Sequence, residues 1–212
     1  MEHRKPAALV LAAGSSTRMG TSKQLLRLGN KTVIRHCVDT LAAAGIEQVV
    51  VVTGTQHDAC AQELEGTGVR IVRNEAQGSQ MANSVRLGLR ALDETSSGVI
   101  VCLVDHPLVT PGTYQAIIDA HARSPEKIII PAFQGKRGHP SLFPFDLISE
   151  LFFLPTLRDL IRENNGQVLM VEVPDEGAVL DMDTREDYLV IAEKFAKRAD
   201  SVPAGENHVH RA

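Results

Sequence analysis

No stretch of the 212-residue sequence approaches the roughly 18 consecutive apolar residues that a membrane-spanning helix needs. The charged start is followed by an apolar run, but that run stops at Gly14 and leads into a polar loop rather than a cleavage site. Positive charge is not in excess either: the formal net charge is −4, whereas non-specific nucleic-acid binding normally needs a basic face. We therefore expect a cytoplasmic protein that binds neither membrane nor nucleic acid, with any phosphate binding confined to a local site.

Cysteine is scarce as well. The three cysteines, Cys37, Cys60 and Cys102, lie far apart and include no CxxC pair. They fall in segments with the patterns of a helix, a helix and a buried strand. We expect three reduced thiols in the hydrophobic core.

The composition is that of an ordinary globular domain, with 43% hydrophobic and 23% charged residues. A length of 212 residues suits one domain with a sizeable core. The last residues are polar and include a proline and a glycine, which is typical of a disordered terminus. We predict a single domain over residues 1–200 and a disordered tail over 201–212.

Short β-branched runs alternate with longer segments that carry apolar residues at helical spacing. The predicted strands are 7–12, 48–53, 69–72, 99–104 and 128–131, and the predicted helices are 32–44, 56–65, 81–92 and 113–123. Successive βαβ units build an open, mostly parallel sheet with helices on both faces, and ligands bind beyond the carboxyl ends of its strands. The predicted fold is α/β, Rossmann-like and three-layered.

The pattern changes after Gly138. A short apolar segment follows closely behind another strand, and the remaining predicted elements are a strand at 139–143, helices at 147–153 and 156–163, a strand at 168–173 and a helix from 185 to about 197. This order indicates a mixed sheet, and we place its mixed part at an edge.

The loop after the first strand is rich in small residues, whose backbone amides can surround phosphate oxygens. It is not a Walker A loop, because Gly20 is followed by Thr21 rather than lysine, and it lacks the GxGxxG fingerprint. Arg18 offers a fork to phosphate oxygens and Lys23 a movable point charge, which together suit a triphosphate. A structural alternative stays open, in which the glycines only form turns and the cations are solvated.

The full spelling of this loop, LAAGSSTRMGTSKQLL, resembles the LAAGxSxRMGxxK signature of the family that includes the molybdenum cofactor cytidylyltransferases, the MobA-like NTP transferases. The resemblance extends from about residue 7 to residue 188. It implies a Mg²⁺-dependent nucleotidyltransferase in which Arg18 and Lys23 are catalytic. It further implies that the loop binds the nucleotide through Ala12, Ala13, Gly14, Ser15 and Ser16.

Asp105 directly follows a predicted buried strand that Pro107 ends, so it lies at the carboxyl edge of the sheet, where a metal ligand belongs. An aspartate in such a place can also simply cap a turn. In the family, an Asp-x-Pro motif carries a metal-binding aspartate. The resemblance therefore implies Mg²⁺ binding by Asp105 and leaves His106 without a role.

A second acidic cluster, DMDTREDY at 181–188, resembles the closing DxDTxEDY segment of the family. Thr184 and Asp187 have the spacing of a capping-box variant, so part of the cluster is expected to cap the last helix. We choose Asp183 as the second Mg²⁺ ligand, with Asp181 as the alternative. Two carboxylates suffice, because Mg²⁺ completes its shell with water and phosphate oxygens.

Two more segments of the sequence resemble motifs of the family. Residues 74–89 resemble the stretch near the nucleotide base, which implies nucleotide binding by Gly78 and Ser84, whereas Gly88 is interpreted as a packing glycine. KRGHPSLF at 136–143 resembles the RGHPxLF element of the cytidylyltransferase branch. It implies that the acceptor is contacted by Arg137, Gly138, His139 and Pro140, with an imidazole that can change charge near physiological pH.

The implied reaction is attack by a terminal phosphate of the acceptor on the α-phosphorus of a nucleoside triphosphate, with release of pyrophosphate. The Ala12-Ala13-Gly14 spelling favours CTP over GTP. The family expectation for the acceptor is molybdopterin, with a molybdoenzyme or a maturation factor as partner.

Several alternatives stay open. They are a guanylyltransferase of the same family, a methylerythritol phosphate cytidylyltransferase-like enzyme and a non-catalytic cofactor-binding or maturation factor. A glycosyltransferase that uses a nucleotide sugar is disfavoured, because Arg18 and Lys23 suit a triphosphate.

Overall fold

The computed structural model describes residues 4–14, 22–76, 80–93 and 95–200, along which strands and helices alternate. The strands are β1 (Ala7–Ala12), β2 (Arg27–Leu28), β3 (Lys31–Thr32), β4 (Val49–Thr53), β5 (Arg70–Arg73), β6 (Gly98–Leu103), β7 (Ile128–Phe133), β8 (Lys136–Arg137), β9 (Ser141–Pro144) and β10 (Val168–Glu172). The helices are α1 (Val33–Ala43), α2 (His57–Glu63), α3 (Met81–Leu89), α4 (Pro111–Arg123), α5 (Phe145–Ser149), α6 (Leu157–Glu163) and α7 (Arg185–Asp200). The predicted tail, 201–212, lies outside the described residues.

Parallel pairing dominates the main sheet, whose strand order is β10-β7-β9-β6-β1-β4-β5. Only β9 and the short β8 are antiparallel to their neighbours in the described part of this sheet. The predicted three-layer, mostly parallel fold is confirmed. The antiparallel strand, however, lies between β6 and β7 rather than at an edge, because the chain reverses through the turn at Gln134 and Gly135 and returns alongside β7.

Helices cover both faces of the sheet, and the two-residue period of the strands explains how one strand serves both layers. In β1, Ala8 and Val10 pack with α1, α2, α4 and α7, whereas Leu9 and Leu11 pack with α3, α5 and α6. Every residue of β1 is buried, as expected for a central parallel strand. The central strands are therefore covered on both faces, and the ends of these strands are the part of the sheet that ligands can reach.

Several element boundaries differ from the prediction. The strand predicted at 139–143 begins only at Ser141, after the cis His139–Pro140 bond, because proline has no N–H to donate to a ladder. The helix predicted at 147–153 starts at Phe145 and ends at Ser149, where a 3₁₀ turn at Glu150–Phe152 takes over. The small β2–β3 hairpin, which turns at Gly29 with a φ of 62°, was not predicted.

The prediction for the cysteines is confirmed, since all three are buried free thiols. Burial raises the pKa of Cys102 to about 12 and that of Cys60 to about 11, so these thiols stay protonated at neutral pH. Gly88 is the packing glycine that was expected, because a Cβ there would lie 2.1 Å from Cδ1 of Leu9 in β1. Within the described residues, no helix combines the length and the apolar character that crossing a membrane requires.

Candidate functional site

Three distant parts of the chain meet at the carboxyl ends of β1 and β6. Lys23 lies in a 3₁₀ turn at Lys23–Leu25, and its Nζ is 2.6 Å from Oδ1 of Asp183 and 3.9 Å from Oδ2 of Asp105. The Lys23 side chain is only 13% exposed. The structure thus brings together the predicted catalytic lysine and the two aspartates predicted as metal ligands.

Asp183 is held in place by the start of α7. Asp187 accepts hydrogen bonds from the backbone N–H of Thr184 at 2.7 Å and from its hydroxyl at 2.8 Å, and donates its own N–H to Oγ1 of Thr184 at 3.1 Å. This is the predicted capping box, which is confirmed. The carboxylate of Asp187 forms the cap of α7, and the carboxylate of Asp183 contacts Lys23.

The carboxylate of Asp105 has unused capacity for a ligand. Its Oδ1 is buried without a hydrogen-bond partner among the described residues. Burial raises the pKa of Asp105, against the opposing charges of His106 and Lys23. A buried carboxylate oxygen without a donor is destabilising unless something positive approaches it.

Asp105 and Asp183 together fit a hard divalent cation. No group of three or more His, Cys, Asp or Glu side chains in the described part of the chain is arranged to hold a metal by itself. Mg²⁺ typically takes one or two protein carboxylates and fills its shell with water and substrate phosphates. The donor set is therefore sufficient for a cation that arrives with a phosphate ligand.

Beside this cluster lies a cavity of about 200 Å³, which we call the first cavity. Of the predicted nucleotide-binding residues, Ala13, Gly14 and Ser84 line it, and Ala12 is buried at the end of β1. Lys23 and Asp105 line it too. Four predicted site residues lie outside the described residues: Ser15, Ser16, Arg18 and Gly78.

Sequence reasoning missed three residues that support the first cavity. Gln24 is 4% exposed and lines it. Asn74 donates from Nδ2 to Oγ of Ser84 at 2.9 Å and so positions this hydroxyl. A Cβ on Gly54 would lie 2.8 Å from the carbonyl oxygen of Ala13, so only glycine fits there without displacing the loop. Gln24 and Asn74 lie inside the two segments that resemble the family, and this position is the signal by which the sequence could have identified them.

A second cavity, of about 400 Å³, adjoins the first, and both are lined by Met81 and Leu103. Arg137, Gly138 and His139, three of the predicted acceptor contacts, line the second cavity. Pro140, the fourth, is buried next to them in the chain. Most of the remaining lining is apolar, and α6 adds a residue that the sequence did not single out, Arg158. The predicted site residues therefore divide between two neighbouring cavities.

His139 stands close to His106, with ring centroids 4.8 Å apart. Burial lowers the pKa of His139 to about 4, and it also lowers the pKa of His106 against the charges of Asp105 and Asp181. The expectation that His139 changes charge near physiological pH was wrong, because the sequence did not reveal how deeply the ring is enclosed. His139 is neutral at pH 7.

Residues 175–184, which we call the C-terminal strap, contact one lining residue of each cavity. The carbonyl of Ala178 accepts a hydrogen bond from the N–H of His139 at 2.8 Å, and the N–H of Met182 donates to the carbonyl of Asp105 at 2.9 Å. A Cβ on Gly138 would lie 2.5 Å from the carbonyl oxygen of Ala178, so glycine is needed for this approach. The strap thereby sets the position of Asp183 relative to both loops.

The sequence matches the MobA-like NTP transferase domain over residues 8–171, most of the chain. The chain belongs to this family. The family and the structural neighbours are nucleotidyltransferases, which confirms the predicted enzyme class, and members of the family bind nucleoside triphosphates.

Solved structures agree with this assignment. The chain is similar to a nucleotidyl transferase from Methanothermobacter thermautotroptrophicus, with a TM-score of 0.79 and 25% identity over 92% of this chain and 99% of that one. It is also similar to Rv0371c of Mycobacterium tuberculosis in complex with manganese, with a TM-score of 0.72 and 27% identity over 89% of this chain and 98% of that one.

Among curated relatives, the bifunctional protein GlmU of Corynebacterium aurimucosum is 36% identical over 124 residues. That match covers 54% of this chain and 25% of the relative, so the chain spans about a quarter of that protein's length.

Proposed function

We propose that this protein is a Mg²⁺-dependent cytidylyltransferase that transfers the CMP group of CTP to a terminal phosphate of molybdopterin. The observation that carries the proposal is the meeting of Lys23 with Asp105 and Asp183 beside a cavity lined by Ala13 and Gly14. A metal-bound triphosphate needs this combination of a cation, two carboxylates and a small-residue loop. The manganese bound by the Rv0371c relative supports a divalent ion.

In the proposed reaction, an oxygen of the acceptor phosphate forms a bond to the α-phosphorus, and the bond from that phosphorus to the bridging oxygen of the leaving pyrophosphate breaks. A terminal phosphate has its second pKa at about 6, so it is largely dianionic at neutral pH and needs no strong general base. The chain has to position the two substrates and balance charge. Lys23 balances the charge that develops on the leaving oxygens, and Arg18 is expected from the sequence to share this role.

Asp105 and Asp183 would hold the Mg²⁺. When bound, the metal neutralises the phosphate charges and polarises the phosphoryl group. The unpartnered Oδ1 of Asp105 supports this assignment, because it is an acceptor without a donor among the described residues. Asp181 stays the alternative second ligand; it is exposed, and its charge acts on His106.

The shared wall of the two cavities supports a reaction with two substrates. The nucleotide occupies the first cavity and the acceptor enters the second, so that the reacting groups meet at Leu103 and Met81. Holding both in place converts a bimolecular step into an effectively unimolecular one. The choice of CTP rests on the Ala12-Ala13-Gly14 spelling, and the choice of molybdopterin on the segment that contains Arg137 and His139.

The proposal is tested by the melting temperature of the protein with CTP, GTP, ATP or UTP, each with and without Mg²⁺. A nucleotide at about a hundred times its Kd adds about 2.7 kcal/mol of stability. For a chain of this size that corresponds to an upward shift of roughly 5 to 10 °C, which we expect for CTP with Mg²⁺. A shift with GTP instead would move the protein to the guanylyl branch, and no shift with any triphosphate would refute nucleotidyl transfer.

Two asparagine variants identify the second metal ligand. Asp183→Asn is expected to remove the Mg²⁺-dependent part of the CTP shift, and Asp181→Asn to retain it; the reverse result would assign the ligand to Asp181. The acceptor is then tested by pyrophosphate release from CTP with molybdopterin. Methylerythritol phosphate in its place tests the isoprenoid alternative, and binding of CTP without pyrophosphate release would favour a cofactor-binding factor.

A further inference from the structure

The second cavity has a distinct chemistry, namely an apolar body with two arginines. Ile130, Phe143 and Ile161 contribute apolar surface, and Arg137 from β8 and Arg158 from α6 contribute positive charge. No aspartate or glutamate is among the described residues that line it. His139 adds no charge, since burial lowers its pKa to about 4.

No acid in the described part of the chain forms an ion pair with Arg158. The nearest acid in sequence, Asp159, accepts a hydrogen bond from the hydroxyl of Thr156 at 2.7 Å and pairs with Arg162 at 2.9 Å. The described residues provide neither Arg158 nor Arg137 with an ion pair or a side-chain hydrogen bond. A cation in the first turn of a helix is also disfavoured by the helix dipole. Both arginines are exposed, so water balances their charge in the free protein, and an anion bound in the cavity would take the place of that water.

The two arginines are separated from the reacting centre. Lys23 and Asp105 line the first cavity, and neither Arg137 nor Arg158 does. The cavities share only Met81 and Leu103 among their described lining residues. In the proposed function the reacting phosphate lies at that shared wall, beside Lys23 and Asp105. The arginines line only the second cavity, so a group that they bind is placed elsewhere on the acceptor.

We propose that Arg158, together with Arg137, binds a second anionic group of the acceptor, separate from its reacting phosphate. The acceptor is then an amphipathic molecule with an apolar or aromatic body between two negative groups. Arginine suits this role because its planar fork binds oxyanions through two hydrogen bonds. The location of the reacting phosphate rests on the proposed function, but the anion site and the apolar surface beside it do not.

A non-reacting probe tests the anion site directly. 2-Naphthalenesulfonate has an aromatic body and an anionic group that is a poor nucleophile, and 2-naphthol is its neutral counterpart. We expect the wild-type protein to bind the sulfonate at least about tenfold more tightly than the naphthol, as a charged hydrogen bond permits. This preference should disappear in Arg158→Ala and remain in part in Arg158→Lys, which keeps the charge but loses the fork.

Arg162→Ala is the matched control, because Arg162 lies one turn further along the same helix and pairs with Asp159. It is expected to retain the preference for the sulfonate. An equal loss in the Arg162 and Arg158 variants would mean long-range attraction only and would overturn the proposal, as would a wild-type protein without any preference. Urea midpoints of the variants check that α6 stays folded.

The same variants separate this inference from the proposed function. With an active acceptor, Arg158→Ala should raise the KM for the acceptor about tenfold or more, while the KM for CTP changes less than about twofold. Sulfonate preference without any binding of CTP and Mg²⁺ would refute nucleotidyl transfer and support the anion site. Normal CTP binding with no sulfonate preference would refute the anion site and would be consistent with nucleotidyl transfer.

Discussion

At the scale of single residues, Lys23 places a positive charge beside both aspartates of the site. Its ammonium group is 2.6 Å from Asp183 and 3.9 Å from Asp105, in a place where only 13% of the side chain is exposed. Charge interactions are stronger there than at the surface, because less water screens them. Without Lys23, two carboxylates would face each other, one of them already desolvated.

Lys23→Ala is expected to lower turnover at least about a hundredfold, the usual cost of removing a principal electrostatic stabiliser. The measurement is steady-state pyrophosphate release at saturating CTP, Mg²⁺ and acceptor. Lys31→Ala is the control, since Lys31 also forms a 2.6 Å ion pair with an aspartate, Asp39, but at the surface. Unchanged turnover in the Lys23 variant would refute its catalytic role.

Residues that carry motif signals were predictable, and residues that matter through packing were not. Lys23, Asp105 and Asp183 each stand at a strand end or in a signature, so their types and positions indicated a common site before any distance was known. Arg158 has no such signal: its role depends on the folded position of α6, which brings this residue to the same cavity as Ile130 of β7 and Phe143 of β9. Burial likewise decides the protonation of His139, and a local pattern does not encode it.

At the scale of elements, the C-terminal strap determines where the acidic half of the site lies. Asp175 is 4% exposed and accepts hydrogen bonds from the N–H and hydroxyl of Thr110, the hydroxyl of Thr113 and the N–H of Gly177. The carboxylate of Asp175 thereby holds the strap against the start of α4.

The position of the antiparallel β9 in the sheet could not be predicted from sequence, because β9 pairs with β6, which is distant along the chain.

Gly177→Ala tests the strap, because a Cβ at this position would lie 2.2 Å from the carbonyl oxygen of Leu108. The main chain must move, which we expect to cost about 1–3 kcal/mol of unfolding free energy. Displacing the strap should also raise the Mg²⁺ concentration needed for the half-maximal CTP shift. The measurements are urea unfolding and a Mg²⁺ titration of the melting temperature.

Gly166→Ala is the matched control for the strap. A Cβ at Gly166 would meet nothing within 4 Å, and this glycine also lies in a 3₁₀ turn. We expect its stability and Mg²⁺ requirement to stay close to those of the wild type. If both alanine variants behaved alike, the strap would not position Asp183.

At the scale of the whole molecule, several enclosed histidines make stability depend on pH. Burial lowers the pKa of His106, His121 and His139. The unfolded chain therefore binds more protons than the folded one below a pH of about 6.5. The resulting stabilisation is fully present above that pH and is lost progressively as the pH falls toward the folded values.

His139 allows the size of this effect to be stated. With its pKa lowered from 6.5 to about 4, linkage gives a loss of about 2 kcal/mol of unfolding free energy between pH 7 and pH 5 from this group alone. Urea unfolding across that range should show a shallower pH dependence in His139→Gln than in the wild type. The comparison uses slopes, so a change in stability at pH 7 does not affect it. Equal slopes would mean that His139 is solvated in the folded protein, and the second cavity would then be charged in acid by its histidine as well as by its arginines.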